Sequence, residues 1–168
     1  MIRGTTETRY RQEVRPADLE NVRAIVESSG FFSSEEVNVA VELVEQRLAA
    51  AEASGYHFIF AEQHENVVAY SCFGPIPATQ ARFDLYWIAV HNNLRGQGLG
   101  RELLARTEAA ILQMGGRRVY IETSSREQYQ STIRFYGAMG YQQQALLRDF
   151  YRCGDSKIVL MKDLPQPG

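Results

Sequence analysis

The sequence contains, at residues 94–101, the stretch Leu94-Arg-Gly-Gln-Gly-Leu-Gly-Arg101, which joins a strand-like run to a helix-like run. The run Leu85-Tyr-Trp-Ile-Ala-Val90 precedes it, and apolar residues at helical spacing follow from Leu99 to Met114. Glycines at alternate positions let the backbone approach a ligand closely. A helix that begins there presents free N–H groups and the positive end of its dipole, and Arg95 adds a bidentate positive charge. The stretch therefore predicts a loop that binds a pyrophosphate.

Two well-known phosphate motifs do not fit this loop. A dinucleotide-binding fingerprint reads G-x-G-x-x-G, and from Gly96 its third glycine would fall on Arg101. A nucleotide P-loop requires Gly-Lys-Ser/Thr, which the stretch lacks. The pattern that remains is Arg-x-x-Gly-x-Gly between a strand and a long helix. The alternative interpretation is an ordinary glycine-rich turn.

The composition is typical of one globular domain. The chain has 168 residues, of which 45% are hydrophobic and 23% charged. A net charge of −2 gives no footprint for nucleic acid, and no apolar run approaches the ~18–20 residues of a membrane span. Because the first residues also lack a signal-peptide core, we expect a cytoplasmic protein without nucleic-acid or membrane partners. The histidines and cysteines share no ligand spacing, so no metal is expected.

Hydrophobic periodicity and turn residues predict the element order β-α-α-β-β-β-α-β-α-β-β. The predicted strands are residues 9–14, 56–62, 67–73, 82–90, 117–123, 141–150 and 156–162, and the predicted helices about 17–29, 34–54, 99–114 and 127–139. Because hairpins alternate with helix crossovers, we expect an α/β (α+β) fold with a mixed central sheet of about seven strands and helices on both faces. One domain over residues 1–168 is expected, with a core at about 9–163 and a disordered tail at 164–168.

The glycine loop and its flanks resemble the acetyl-CoA-binding motif of the GNAT acetyltransferase superfamily. Arg95, Gly98 and Gly100 occupy the positions of the family's Arg/Gln-x-x-Gly-x-Gly/Ala pattern, and the predicted element order also matches the family. The resemblance implies that backbone N–H groups of the loop bind the CoA pyrophosphate and that the preceding strand pairs with pantetheine. It assigns to acetyl-CoA the residues Ile88, Ala89, Val90, Arg95, Gly96, Gln97, Gly98, Leu99, Gly100 and Arg101.

A second motif, Phe135-Tyr-Gly-Ala-Met-Gly-Tyr141, resembles the family's Phe-Tyr-x-x-x-Gly-Phe/Tyr signature. The resemblance implies that Tyr136 protonates the departing CoA thiolate, since a thiolate with a pKa near 8.5 leaves more easily when a proton is offered. The alternative is that Tyr136 packs in the core. Many relatives carry a cofactor-contacting asparagine seven residues earlier, where this chain has Tyr129. Either the contact at Tyr129 differs or the start of the helix is displaced.

Two strand carboxylates are candidates for the catalytic base. An amine with a pKa near 10.4 must lose a proton before it attacks, which costs ~4–5 kcal/mol at neutral pH. Asp84 lies on the same strand face as Tyr86 and Ile88 and matches the base of the histone acetyltransferase branch. Glu122 matches the glutamate of ribosomal-protein N-terminal acetyltransferases. We prefer Glu122, while Asp84 stays open, as does an ion-paired or solvated role for either carboxylate.

Two segments are candidates for the acceptor site. Phe31 and Phe32 lie between the first two helices, a connection that shapes the acceptor site in the family. Asp149, Tyr151 and Asp155 lie in a polar, aromatic hairpin and are candidates to bind an ammonium group. The alternative for this hairpin is an ordinary turn rich in Asp and Gly.

The resemblance implies an acetyl-CoA-dependent N-acetyltransferase in which a small-molecule or peptide amine attacks the thioester directly in a ternary complex. Neither cysteine occupies a motif position, which disfavours an acetyl-cysteine intermediate. A non-catalytic acyl-CoA sensor and a transferase of longer acyl groups are the alternatives. The residues do not identify the acceptor amine, and both a monomer and a homodimer are compatible with the sequence.

Overall fold

A computed structural model describes residues 6–166 of the chain. The strands are β1 (Arg9–Arg11), β2 (His57–Gln63), β3 (Asn66–Pro75), β4 (Arg82–Val90), β5 (Arg118–Ser124), β6 (Gln142–Arg152) and β7 (Asp155–Asp163). The α-helices are α1 (Asp18–Ser28), α2 (Ser34–Ala50), α3 (Leu99–Gln113) and α4 (Gln130–Ala138). Short 3₁₀ turns occupy Ala51–Ser54, Asn92–Leu94 and Glu127–Tyr129. Within the described residues, no helix is both long and apolar enough to cross a membrane.

The strands form a seven-stranded sheet in the order β1-β2-β3-β4-β5-β7-β6. β4 and β5 pair in parallel, whereas the pairs β1–β2, β2–β3, β5–β7 and β6–β7 are antiparallel. The sheet contains both kinds of pair and is therefore mixed, as predicted. The helices and strands also follow one another in the predicted order, so the predicted α/β fold class and element order are confirmed.

The contacts divide the chain into two compact units. The first comprises the residues up to Phe73 together with Trp87–Thr107, and the second comprises Gly74–Tyr86 with the residues from Glu108 onward.

The core of the first unit lies between the two N-terminal helices and the strands β2 and β3. Its fully buried members are aliphatic residues of α1 and α2 and aromatic residues of the strands, and burial of each such side chain stabilises the fold by ~1.5–3 kcal/mol. The cluster consists of Val22, Ile25, Val26, Val37, Ala40, Val41, Val44, Phe58, Phe60, Tyr70 and Cys72.

The start of α2 has a capping box. The Ser33 side chain accepts the Glu36 amide, and the Glu36 carboxylate accepts the Ser33 amide at 2.8 Å. These bonds satisfy two donors that the helix itself cannot use, and they end the connection that carries Phe31 and Phe32.

In the second unit, the antiparallel hairpin β6–β7 pairs with β5 through β7. The end of α3 reaches the start of β5 through Gly115 and Gly116, whose amides both donate to carbonyls of the helix. A methyl group built on Gly116 would clash with the Ile111 side chain and lie 2.8 Å from the Phe83 ring. Because Gly116 has no side chain, the backbone there can lie close to Phe83, the residue that precedes Asp84.

The end of β1 and the start of the last helix differ from those predicted. β1 ends at Arg11 rather than at residue 14. The buried Asp18 carboxylate accepts hydrogen bonds from the Arg11 guanidinium and from the Arg15 amide. These bonds turn the chain toward α1. The helix predicted from residue 127 begins as a 3₁₀ turn and becomes α-helical only at Gln130.

The predicted disordered tail begins too early. Leu164 is buried, and its amide donates to the Arg117 carbonyl at 2.8 Å, so the order of β7 extends through this residue. Residues 167–168 of the predicted tail lie outside the described residues.

We expect Gly116→Ala to destabilise the protein by ~1–3 kcal/mol, because the added methyl group overpacks a filled core. Gly137→Ala is the matched control, since Gly137 is an exposed residue of α4 with no atom within 4 Å of the added methyl group. Alanine has the higher helix propensity, so the control should be neutral or stabilising. Urea unfolding of both variants measures the difference, and equal stability of the two would contradict the close approach at Gly116.

Candidate active site

The predicted loop adopts a backbone that favours glycine. Gly96 and Gly98 have φ angles of 76° and 85°, a region that other residues rarely enter. A methyl group built on either glycine meets no atom within 4 Å. The space in front of the loop is therefore open, and the glycines are required by the backbone conformation rather than by crowding.

The loop leads directly into the N-terminus of α3. The Glu102 amide donates to the Gly98 carbonyl at 3.1 Å, which is the first helical hydrogen bond. The backbone amides of Leu99, Gly100 and Arg101 precede this bond. They lie at the N-terminus of the helix, where they can donate hydrogen bonds to an anion. The Leu99 side chain is buried, which leaves only its backbone for a ligand, whereas Arg101 is exposed.

Aromatic side chains flank the loop in the same unit. The Arg95 guanidinium lies 5.6 Å from the centroid of the Phe31 ring. Phe32 packs edge-on against Trp87 with ring centroids 5.2 Å apart. The Asn92 amide donates to the Ser28 hydroxyl at 3.0 Å, which ties the end of α1 to the entrance of the loop. The structure thus brings Phe31 near Arg95, a predicted CoA-binding residue, whereas Phe32 packs against Trp87, which was not assigned to CoA.

The other strand residues predicted to contact CoA lie at the end of β4. Ile88, Ala89 and Val90 are each half-buried, and the next amide, that of His91, donates to the Val68 carbonyl on β3 at 2.8 Å.

Tyr136 is buried on α4, with only 4% of its surface exposed. Its ring packs against Phe135 and Tyr141, with centroids 5.3 and 5.5 Å away. Burial raises the pKa of the Tyr136 hydroxyl well above its ordinary value, because the charged phenolate is disfavoured away from water. The hydroxyl is therefore protonated at neutral pH, as that of an exposed tyrosine also is, and burial makes it a weaker acid.

The two candidate bases share one face of the second unit. Asp84 lies level with Tyr120 across the β4–β5 pair, and alternation along β5 puts Glu122 on the same side as Tyr120. Lys157 of β7 lies opposite Ser124 of β5, and the Lys157 Nζ is 2.8 Å from Glu122 Oε2. Asp84, Glu122 and Lys157 are called the carboxylate–lysine cluster below.

The two carboxylates of this cluster differ in environment. The Glu122 side chain is 55% exposed and paired with Lys157. Asp84 is half-buried, and its pKa is raised to about 6, first by loss of hydration and then by the negative charge of Glu122, while Lys157 lowers it. A carboxylate with a pKa near 6 is ionised at neutral pH yet basic enough to accept a proton.

Asp155 has a structural set of partners in the second unit. It is buried, and its carboxylate accepts the Ser124 hydroxyl and lies 3.2 Å from Arg126 Nε. The Arg126 guanidinium in turn lies 5.3 Å from the Tyr129 ring centroid. Tyr129 is the last residue of the 3₁₀ turn before α4. The α-helix begins at the next residue, Gln130, rather than at residue 127 as predicted.

The hairpin residues Asp149 and Tyr151 have different surroundings. Asp149 has a φ of 51°, and its carboxylate accepts the Gly154 amide at 2.8 Å, as a turn residue does. Tyr151 is exposed and packs edge-on against Phe150. Although the residue is exposed overall, partial loss of hydration raises the pKa of its hydroxyl, and the charges of Lys157, Glu122 and Asp155 also act on it, so Tyr151 adjoins the carboxylate–lysine cluster.

Sequence reasoning missed Lys157 as a partner of Glu122 and missed the Ser124–Asp155–Arg126 network. The ion pair and the network both depend on the pairing of β5 with β7 and on the segment that follows β5. Residue spacing along the chain does not reveal this pairing. The only available signal was the unusual occurrence of a lysine in a chain rich in arginine. Among residues 6–166, no group of three or more His, Cys, Asp or Glu side chains is placed to hold a metal ion.

A family model described as Acetyltransferase (GNAT) family matches residues 20–141 of the chain. The chain belongs to this family. The match includes the glycine loop, both candidate bases and Tyr136, and it confirms the resemblance drawn from the two sequence motifs. No curated protein matches this GNAT-family chain significantly.

Solved structures agree with the family assignment. A protein of Desulfovibrio desulfuricans assigned to the GNAT acetyltransferases is 44% identical, with a TM-score of 0.92 over 94% of this chain and 99% of that one. The ribosomal-protein-S18-alanine N-acetyltransferase of Escherichia coli is 18% identical, with a TM-score of 0.73 over 96% and 97%. An aminoglycoside 6'-N-acetyltransferase complexed with coenzyme A is 15% identical, with a TM-score of 0.73 over 96% and 99%. The two distant matches show the shared GNAT fold.

We expect Asp84→Asn to raise the melting temperature at pH 8 and to lose this advantage near pH 4.5. Because the folded-state pKa of Asp84 lies above its ordinary value, its contribution to stability is present below pH ~4 and is lost as the pH rises through about 6. The asparagine does not ionise and avoids this loss.

Asp163→Asn is the control of opposite sign. The pKa of Asp163 is lowered by its hydrogen bond with Arg118, so this variant should be less stable than the parent at pH 8, with a gap that narrows as the pH falls. Thermal melts of the three proteins across this range measure both differences. A pH-independent effect of Asp84→Asn would contradict the assigned environment.

Proposed function

We propose that this GNAT protein is an acetyl-CoA-dependent N-acetyltransferase that transfers an acetyl group to a primary amine by direct attack in a ternary complex. The observation that carries the proposal is the glycine loop with positive φ angles at Gly96 and Gly98, followed at once by the free N-terminus of α3. An anion seat of this kind suits the pyrophosphate of CoA. Related structures solved with coenzyme A or acetyl-CoA support the choice of ligand.

The proposed donor site uses the loop and the adjoining strand. Arg95, Gly96, Gln97, Gly98 and the first-turn amides of α3 bind the pyrophosphate, and Ile88–Val90 of β4 contact the pantetheine. Tyr129 is proposed as a further contact to the cofactor.

Asp84 is the proposed base. Its raised pKa and half-buried position suit a group that accepts a proton from the acceptor amine, whereas Glu122 is already paired with Lys157. These surroundings reverse the preference for Glu122 that the sequence suggested. Glu122 then tunes the base, since its charge contributes to the raised pKa of Asp84.

Tyr136 is the proposed acid. In the reaction the amine lone pair attacks the thioester carbonyl, and collapse of the tetrahedral intermediate breaks the C–S bond. The buried, protonated hydroxyl of Tyr136 donates a proton to the sulfur that leaves. The aromatic residues Phe31 and Phe32, with Tyr151 and Asp149 of the hairpin, are proposed to shape the acceptor site.

Release of free thiol from acetyl-CoA across a panel of primary amines tests the proposal. We expect release with at least one amine and a rate that rises with pH through about 6, because only ionised Asp84 accepts a proton. Tight binding of acetyl-CoA without thiol release for any amine would instead indicate an acyl-CoA sensor. A clear preference for longer acyl-CoA donors would indicate a different acyltransferase.

We expect Gly98→Asp to abolish binding of CoA, because a side chain and a negative charge would enter the pyrophosphate seat. Gly115→Asp is the matched control, since Gly115 has the same φ of 85° and equally open surroundings at the other end of α3. Calorimetric titration with CoA measures both affinities. Undiminished affinity of Gly98→Asp, or equal losses in the two variants, would argue against the loop as the CoA site.

We expect Tyr136→Phe to lower kcat 10-fold or more, as loss of a general acid does, with nearly unchanged affinity for acetyl-CoA. Steady-state kinetics with a good acceptor and calorimetry with acetyl-CoA measure the two quantities. A kcat equal to that of the parent protein would remove Tyr136 from the mechanism.

A further inference from the structure

Lys157 of β7 is held by two side chains of the second unit. Its Nζ is 2.8 Å from Glu122 Oε2, although the Glu122 side chain is itself 55% exposed. The Nζ also lies 3.9 Å from the centroid of the Phe150 ring, where a cation is attracted to the aromatic face. Only 15% of the Lys157 side chain is exposed. The ammonium group is therefore fixed as the partner of Glu122 rather than extended into solvent.

Strand pairing places this ammonium group on the face that carries both candidate bases. On one side of Glu122 along β5, Ser124 lies opposite Lys157. On the other side, Tyr120 lies level with Asp84. Alternate residues of β5 share one face of the sheet, so Glu122 lies between Asp84 and Lys157 on that face.

The two carboxylates meet the ammonium group in different ways. Glu122 has one oxygen in direct contact with Lys157, so an acceptor amine would have to compete with Lys157 for it. Asp84 is half-buried. Burial and then the charge of Glu122 raise the pKa of Asp84, and the charge of Lys157 lowers it. One ammonium group thus occupies the first carboxylate and favours the ionised form of the second.

Other titratable groups of the second unit adjoin the carboxylate–lysine cluster. Tyr120 lies level with one cluster carboxylate. The other two members of the cluster act on Tyr151 of β6, as do Asp155 and Tyr129. The Asp155 carboxylate is itself paired with Arg126, 3.2 Å from its Nε. Tyrosine side chains are uncharged near pH 6, so a charge effect there reports on the cluster rather than on the tyrosines.

We propose that Lys157 is a positioning residue of the transfer reaction: by holding Glu122 in an ion pair, it keeps that carboxylate from the acceptor amine and leaves Asp84 to act as the base. This inference rests on the proposed function. It explains how two carboxylates on one face take different roles. Lys157 acts through Glu122 and through its own charge, and this role requires no contact with the acceptor or with acetyl-CoA.

The first test compares the loss of kcat caused by Asp84→Asn in different backgrounds, with thiol release from acetyl-CoA as the assay. In the parent protein the loss should be ~10-fold or more, as for removal of a general base. It should be the same in Lys157→Arg, which keeps the positive charge. In Lys157→Met, Glu122 is released from its ion pair and able to accept the proton, so the loss should be several-fold smaller.

Lys162→Met is the matched control background. Lys162 is also a partly buried partner of a glutamate, with its Nζ 2.9 Å from Glu108 Oε2 and its side chain 21% exposed. It also faces an aromatic ring, that of Tyr141, but it does not belong to the carboxylate–lysine cluster. Asp84→Asn should therefore cost as much in Lys162→Met as in the parent protein.

The second test uses no substrate. It follows, across pH ~4–8, the difference in melting temperature between each background and its Asp84→Asn variant. Because Lys157 favours ionised Asp84, Lys157→Met should enlarge the advantage of the asparagine at pH 8 and raise the pH at which it levels off. Glu122→Gln removes the neighbouring negative charge and should do the opposite, whereas Lys162→Met should match the parent protein.

Three results would overturn the inference: an equal kinetic loss from Asp84→Asn in the parent protein and in Lys157→Met, equal effects of Lys157→Met and Lys162→Met in either test, or a larger kinetic loss from Glu122→Gln than from Asp84→Asn in the parent protein. Thiol release with any of these results refutes the role of Lys157 alone. Absence of thiol release with every amine refutes the proposed function and, with it, the role of Lys157 in transfer.

Discussion

The parallel pairing of β4 with β5 is the constraint on which the arrangement of the candidate site depends. Parallel neighbours cannot be joined by a tight turn, and the chain between them contains the glycine loop and α3. A loop at the end of β4 and a helix N-terminus directly after it follow from this connection. The same pairing sets Asp84 level with Tyr120, and the alternation of side chains along β5 brings Glu122 to the same face. This strand pairing thus accounts for the place of the glycine loop along the chain and, in the second unit, for the shared face of the two carboxylates.

The chemistry proposed for the site depends on charges that are only partly hydrated. Burial and the nearby Glu122 raise the pKa of Asp84 to about 6, and Lys157 opposes this rise. Tyr136 experiences burial alone, which raises its pKa and keeps its proton in place. A carboxylate that is ionised at neutral pH and a tyrosine that is protonated there are suited to opposite proton transfers.

Much of the fold was predictable because its signals are local. The alternation in β4, the capping box at Ser33 and the glycines after β4 each act over a few residues, and all three appear in the structure. Boundaries that depend on distant partners were predicted less well. β1 is shorter than predicted because the Asp18 carboxylate accepts hydrogen bonds from Arg11 and Arg15, and Leu164 is ordered because its amide donates a hydrogen bond to the Arg117 carbonyl. Neither partner is visible in the pattern of the segment itself.

The sequence by itself determined the family, the element order and the glycine loop before α3, because these follow from residue types at short, regular spacing. Only the tertiary structure decided how the two candidate bases differ. Their sequence contexts are alike, as each is a single carboxylate in an apolar strand. The pairing of β5 with β7 brings Lys157 to Glu122 and leaves Asp84 half-buried. A carboxylate's proton affinity depends on hydration and on neighbouring charges, and these are set by chain segments far apart in the sequence.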